Sequence, residues 1–142
     1  MDSPTQSSNR PQPQSRPLIK QPENKPYRFI DLGDGQIAIV DDYNYGWLKK
    51  YPWEPHKYFR SYYARYTIDR FPKPINIYLH RLVAHTPKGM VTHHRNRNTL
   101  DNRRANLLNL TPKDHHALHQ NGSLLIKFET VAPQPIVLDG FF

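Results

Sequence analysis

The stretch that decides the fold runs from Val91 to Gln120 and reads VTHHRNRNTLDNRRANLLNLTPKDHHALHQ. It holds five of the eight histidines of the 142-residue chain, together with a cluster of arginine and asparagine. Met90, just before this stretch, and its first residues, Val91 to His93, alternate as a short strand does. Because successive side chains of a strand point to opposite faces, His93 and His94 are expected to face different parts of one site.

The other end of the stretch carries a helix-start signal. The Thr111 hydroxyl can accept a bond from a free backbone N–H, Pro112 suits the first helical turn, and Asp114 favours the positive end of the helix dipole. The predicted helix then carries His115 and His119, whose i,i+4 spacing places both imidazoles on one face. This is a common way for a helix to present two metal ligands, whereas His116 points elsewhere.

Between the two ends lies a cationic loop, Arg95 to Arg104, which is rich in loop-forming residues and nearly devoid of apolar ones. The apolar run that begins at Leu107 predicts a second strand. The expected layout is therefore strand, long basic loop, strand and helix. A histidine-rich stretch can also be a solvated surface, and one i,i+4 histidine pair is often incidental. The joint pattern favours a metal site.

These residues form a motif: His93-His94, Asn102-Arg103, Asn106-Leu107 and His115. The motif resembles that of the HNH (ββα-metal) endonucleases, notably the phage and intron-encoded homing-type enzymes. The resemblance extends upstream through Trp47-Leu48, Tyr51-Pro52-Trp53 and Tyr78 to Leu82, and covers the chain from Phe29 to Gln120.

The resemblance implies a role for each position. His94 is expected to be the general base that activates water, and Asn106 the residue that ties down the loop and orients His94. The implied metal ligands are His93, His115 and His119. One divalent ion is expected, and a ligand set made only of histidines suits Zn, Ni, Mn or Co better than Mg, although Mg could support turnover. The implied reaction is hydrolysis of DNA phosphodiester bonds.

Arginines are the candidate DNA contacts. In the loop they are Arg95, Arg97, Arg103 and Arg104, which could hold flanking phosphates. Upstream, aromatic and cationic residues interleave in a predicted strand, and Arg60, Arg65 and Arg81 are further candidates. The loop reads Asn96-Arg97-Asn98 where the family often has Asp-Gly-Asn. Glycine takes positive φ easily and arginine does not, so the loop conformation is in question.

Composition agrees with a polyanionic partner. The net charge is +8 and the pI is about 9.8, which favours nucleic acid. The chain has no cysteine, which excludes disulfides and cysteine-ligated zinc. No apolar run approaches a transmembrane length and no signal peptide is recognised at the start, so a cytoplasmic protein without membrane association is expected.

The predicted fold class is α+β, with a small β-rich N-terminal half that includes a short helix, followed by a C-terminal ββα-metal unit. The chain divides into a disordered tail (1–26), a β-rich DNA-binding region (27–85), the HNH motif (86–122) and an extension of unknown role (123–142). The expected N-terminal elements are a hairpin over Tyr27 to Val40, a helix capped by Asp41 or Asp42 that runs to Lys50, strands over Tyr58 to Asp69 and Ile75 to Leu79, and a helix over Leu79 to His85. Trp47 and Trp53 are expected in the core.

Two alternatives remain at this stage. In one, the protein binds DNA through the aromatic and basic sheet, and the metal site is structural. The presence of His94 argues against it, because a structural site does not need a free imidazole beside its ligands. In the other, the protein is an HNH nuclease that cleaves RNA, which no feature of the sequence excludes.

Overall fold

The computed structural model describes residues 18–121. Within this range the chain forms an α+β fold, as predicted. In chain order the elements are β1 (Tyr27–Gly33), β2 (Gln36–Asp41), α1 (Asp42–Leu48), β3 (Glu54–Tyr58), β4 (Ser61–Ile68), β5 (Ile75–Tyr78), α2 (Leu79–Ala84), β6 (Val91–His94), β7 (Leu107–Leu110) and α3 (Pro112–Asn121). The strands pair as β1-β2, β3-β4-β5 and β6-β7, all antiparallel. Gly122 and the C-terminal extension (123–142) lie outside the described residues.

The N-terminal hairpin is confirmed. Strands β1 and β2 pair from Tyr27 opposite Asp41, and the turn between them takes positive φ at Gly33, Asp34 and Gly35 (87°, 52° and 72°). Glycine tolerates this conformation without steric cost, which is why the turn forms here. Side chains alternate along both strands, so that Leu32 and Val40 are fully buried.

Gln21, in the segment 18–26, contacts this hairpin, although the predicted disordered tail extended to residue 26. The Gln21 side chain donates to the Phe29 carbonyl (2.9 Å) and accepts from the Phe29 N–H (2.8 Å). A side-chain amide thereby satisfies both backbone groups of a strand residue, as a neighbouring strand would. The polar composition of this segment predicted disorder, because a contact made by a single glutamine side chain leaves no pattern in the sequence. The remainder of the tail, 1–17, lies outside the described residues.

The first helix begins where predicted, at Asp42, but its cap differs. Asp41 is the N-cap residue and its side chain makes no capping hydrogen bond. Instead, its Oδ2 accepts from the backbone N–H of Arg104 at 2.6 Å and from the Tyr43 hydroxyl at 3.1 Å. The carboxylate therefore connects this helix to the region of the histidines. Trp53 is buried as predicted, whereas Trp47 is only half-buried.

The central sheet has one strand more than predicted. The expected strand over Tyr58 to Asp69 begins at Ser61, and β3 precedes it across a tight turn in which Phe59 has a φ of 51°. Strand β3 reads Glu-Pro-His-Lys-Tyr and carries no alternating apolar residues, so its pattern gave no strand signal. Strand β5, which pairs with β4, and helix α2 lie where they were predicted, with Leu79, Leu82 and Val83 buried.

One hydrophobic cluster connects these elements. It includes Leu32 of β1, Leu48 of α1, Ala64 of β4, Leu82 of α2 and Leu107 of β7. The predicted boundary between residues 85 and 86 therefore does not divide the core. Helix α3 packs on β6 and β7, and the Thr111 hydroxyl accepts from the Asp114 N–H at 3.1 Å, as the helix-start signal predicted.

A candidate metal centre with an adjacent buried histidine

Three histidines meet between β6 and α3. His93 projects from β6, and His115 and His119 lie one turn apart on α3. Each offers a ring nitrogen, and these three nitrogens lie within 4.8 Å of one another. The Nε2 atoms of His115 and His119 are 3.1 Å apart. The strand alternation and the helical spacing thus bring together the three residues predicted as ligands, while His116 is exposed and outside the group.

Two histidines of the cluster, His93 and His115, are held in the neutral form that metal binding requires. Burial, then the neighbouring His115 and His119, lower the pKa of His93 from 6.5 to about 4. Burial and the nearby His119 likewise lower the pKa of His115. At neutral pH the rings of His93 and His115 therefore carry lone pairs rather than charge. A metal–nitrogen distance of about 2.0–2.1 Å for zinc is compatible with one ion shared by three nitrogens this close together.

His94 occupies the opposite face of β6 and is buried, with 6% of its surface exposed. Its Nε2 lies 3.1 Å from Oδ1 of Asn102, whose Nδ2 donates to the Leu100 carbonyl at 3.2 Å. That second bond fixes the amide so that its oxygen faces His94. Nε2 must therefore carry the proton and donate it, which leaves the lone pair on Nδ1.

Burial also lowers the pKa of His94 below its ordinary value of 6.5. The hydrogen bond to Asn102 and the charge of Asp101 act in the opposite direction but do not outweigh it. The imidazole is consequently neutral at physiological pH, with a defined tautomer. This is the protonation state that a general base needs.

Asn106 fastens the loop, and its side-chain hydrogen bonds go to Asn96 and Asp101 rather than to the His94 ring. Its Oδ1 accepts from the Asn96 N–H at 3.0 Å, and its Nδ2 donates to Asn96 Oδ1 at 2.9 Å and to the Asp101 carbonyl at 2.8 Å. The side chain that hydrogen-bonds the His94 ring is that of Asn102. Sequence alone could not separate the two, because both are asparagines of the same motif.

The loop is also attached to the N-terminal hairpin through its backbone. The Ile39 N–H donates to the Leu100 carbonyl and the Asn102 N–H donates to the Ile39 carbonyl, both at 2.8 Å. Ile39 and Asp101 thus form a parallel bridge on the edge of β2. Together with the bond from Arg104 to Asp41, these contacts position Asn102, and through it His94.

Arg97 adopts a positive φ, the backbone conformation that glycine takes easily and arginine does not. Its φ is 62°, in the left-handed region. The Arg97 N–H donates to the His94 carbonyl at 3.0 Å, which closes the turn. The loop therefore accommodates a non-glycine residue here at some steric cost.

The seven candidate arginines divide into two groups. Arg60, Arg95 and Arg97 are exposed. The others use part of their guanidinium inside the protein: Arg65 binds Glu54, Arg81 donates to the Met90 carbonyl, Arg103 binds Asp101 through Nε and Nη2, and Arg104 donates to the Leu107 carbonyl. Arg103 forms a bidentate pair with buried Asp101 and its side chain stays 40% exposed, so its contact with phosphate stays a prediction.

His94 and the three-histidine cluster share one cavity. The cavity has a volume of about 340 Å³, and its lining includes His93, His94, His115, His119 and Arg97. A bound group could therefore contact the ligand nitrogens, the buried imidazole and a cation together. Sequence reasoning missed Asn102 as a site residue. The His80 ring lies 5.3 Å from that of His94.

Comparisons of the chain with protein-family models, with curated proteins and with solved structures find no match. Among the helices within residues 18–121, none has the length and apolar character needed to cross a membrane.

Proposed function

We propose that this protein is a metal-dependent endonuclease of the HNH kind that hydrolyses DNA phosphodiester bonds. The observation that carries the proposal is the shared cavity. On one side of β6 lies a three-histidine cluster, and on the other lies a buried neutral imidazole whose tautomer is fixed by Asn102. A structural metal site would need only the cluster.

His94 acts as the general base in this proposal. With the proton held on Nε2 by Asn102, Nδ1 is the nitrogen that can take a proton from water as the water attacks phosphorus. The lowered pKa keeps the ring unprotonated at neutral pH, where a solvated histidine would be partly charged. Burial also restricts the ring to one orientation, which favours proton transfer along a single direction.

His93, His115 and His119 would hold one divalent ion. When bound, the ion would supply positive charge that stabilises the charged phosphate and the leaving 3′ oxygen. The donor set contains nitrogen and no carboxylate, which favours Zn, Ni, Co or Mn over Mg. The chain brings the three ring nitrogens close together, and the lowered pKa values of His93 and His115 keep those two imidazoles neutral before the ion binds.

The charge of the protein supports a nucleic-acid substrate. The net charge is +8, and Arg97 lines the cavity that contains the histidines. Exposed Arg95 lies two residues earlier on the same loop. Cations at these positions can neutralise phosphates on either side of the bond that is cut. We propose DNA as the substrate, and RNA is tested in parallel.

The test is cleavage of supercoiled plasmid by purified protein. Protein is treated with EDTA, and Mg²⁺, Mn²⁺, Co²⁺, Ni²⁺ or Zn²⁺ is added back. His94→Ala and His116→Ala are assayed alongside. His116 is a matched control, because it lies on α3 beside the ligands but outside the cluster. The proposal predicts cutting that depends on metal, is retained in His116→Ala and is lost in His94→Ala.

Other outcomes would change the assignment. Full cleavage by His94→Ala would remove His94 as the base. Absence of cutting with every metal, combined with a salt-sensitive gel shift of DNA, would favour the binding protein with a structural metal site. Metal-dependent cutting of a matched RNA with none of DNA would retain the site and change the substrate.

A further inference from the structure

A second cavity lies beside the first and shares Tyr63 with it. Its volume is about 290 Å³, and it is lined by His56, Tyr58, Tyr63, Tyr78, His80 and Arg81. Except for Arg81, these are all ring-bearing residues, and they come from β3, β4 and β5 and the start of α2. None of them belongs to the three-histidine cluster.

The walls are suited to a flat aromatic ligand. The Tyr78 ring lies 5.9 Å from that of His56 and 5.6 Å from that of His80, and the Tyr63 ring lies 5.5 Å from that of His80. Aromatic side chains grouped in this way offer ring faces on which a nucleobase can stack, whatever its identity. The volume is at the lower end of the range for ligand sites, about 300–1,000 Å³, which favours one base over a longer ligand.

The cavity lies next to the proposed general base. The ring of His94 is 6.2 Å from that of Tyr63 and 5.3 Å from that of His80. A ligand here is thus separated from His94 by a single layer of rings. We propose that this cavity receives one unstacked nucleobase, from the nucleotide that adjoins the phosphate bound at His94. The identification of that phosphate rests on the proposed nuclease function.

The turn between β3 and β4 provides an apolar side chain near the mouth. Phe59 is 82% exposed, and its ring lies 4.7 Å from that of Tyr58, which lines the cavity. Exposed apolar side chains of this kind insert between base pairs in proteins that unstack DNA. Unpairing a base in a perfect duplex costs free energy, and a base that is already extrahelical avoids that cost.

The test compares three fluorescent DNA duplexes of one sequence in EDTA, where no metal-dependent cutting occurs. The first is fully paired, the second has one extrahelical thymine nucleotide, and the third has one extrahelical abasic nucleotide. The last two share the backbone distortion and differ only in the base. The proposal predicts that the thymine bulge binds most tightly, at least about fivefold tighter than the abasic bulge, which is the low end of one stacking interaction.

Two variants test whether this cavity causes the preference for the thymine bulge. Tyr58→Ala should abolish the preference for the thymine over the abasic bulge, and since Tyr58 is 59% exposed the substitution should not affect folding. Phe71→Ala is the control, because Phe71 is 93% exposed and lies outside the cavity, and it should retain the preference. Equal binding of the two bulges by the unmodified protein would overturn the proposal. An unchanged preference in Tyr58→Ala would also overturn it.

The binding comparison stays decisive if the proposed function fails. A protein that cuts no DNA with any metal can still prefer the thymine bulge, and a nuclease without a base site would bind both bulges alike. If both proposals hold, cuts in the bulged duplex should map to the phosphate next to the extrahelical thymine.

Discussion

His94 and Asn102 are joined by a hydrogen bond of 3.1 Å between Nε2 and Oδ1, and this bond places the lone pair of His94 on Nδ1. Asn102 is 1% exposed and is itself fixed by the Leu100 carbonyl and by the backbone of Ile39. The proposed base is therefore oriented by a loop residue that is anchored to a hairpin formed some 60 residues earlier in the chain.

Removal of this bond should lower the cleavage rate while leaving metal binding intact. In Asn102→Ala the His94 ring can rotate and adopt either tautomer, so we expect kcat to fall about 10- to 100-fold, a part of the full contribution of a general base. KM and the metal affinity measured by calorimetry should be unchanged. Asn102→Asp, which keeps an acceptor oxygen, should retain more activity than Asn102→Ala. Equal activity of Asn102→Ala and the unmodified protein would refute the orienting role.

The ligand assignment predicts a specific loss of metal affinity. His115→Ala removes one of three nitrogens that lie within 4.8 Å of one another, so divalent-ion binding should weaken by at least about 10-fold in isothermal titration. His116→Ala, one position along the same helix, should bind the ion like the unmodified protein. An unaltered titration in His115→Ala would exclude this residue as a ligand.

Asp41 should contribute to stability through its contact with the site loop. Asp41→Ala leaves the Arg104 N–H without its acceptor at 2.6 Å, and we expect a loss of about 1–3 kcal/mol in the free energy of unfolding. Asp42→Ala is the matched control. Asp42 forms an ion pair with Arg28 (3.1 Å) in which its side chain is 54% exposed, and its loss should cost less than about 1 kcal/mol. Urea unfolding of both variants measures the difference, and equal costs would contradict the account.

His80 should make stability depend on pH. Burial, then the charges of His94 and Arg81, lower its pKa from 6.5 to about 3, and the rings that face it belong to Tyr63, Tyr78 and His94. Between these two pKa values the unfolded chain binds the proton and the folded chain does not. Stability must therefore fall as the pH drops below 6.5.

The contribution of His80 to this slope should reach about 1.4 kcal/mol per pH unit once the pH is well below its unfolded pKa. Other histidines with lowered pKa values add to the slope, so the measurement is a difference. Urea unfolding from about pH 6.5 to about pH 4.5 should give a shallower pH dependence for His80→Gln than for the unmodified protein. Identical slopes would show that His80 is not neutral and buried in solution.

Local patterns predicted the elements that carry the site. The alternation at His93 and His94, the cap at Thr111 and the i,i+4 spacing of His115 and His119 each depend on neighbouring residues, and all appear in the structure. Contacts between distant residues were not predictable in this way. Neither the bond from Asp41 to Arg104 nor the pairing of Ile39 with the loop leaves a local signal.

The assignment of single side chains was limited for a related reason. Asn96, Asn98, Asn102 and Asn106 lie in one short loop, and only its folded path decides which of them meets His94. The strand β3 was missed because its side chains are only partly buried and carry no apolar alternation. In both cases the information is in tertiary packing rather than in residue spacing.

The most direct test of the central claim is chemical rescue of His94→Ala by imidazole, with the protein loaded with metal and the occupancy verified by calorimetry. The account predicts that the variant cuts plasmid about 10²- to 10⁴-fold more slowly, and that added imidazole restores part of the rate by entering the space left by the side chain. A variant that cuts at the original rate without imidazole would contradict the assignment of His94 as the general base.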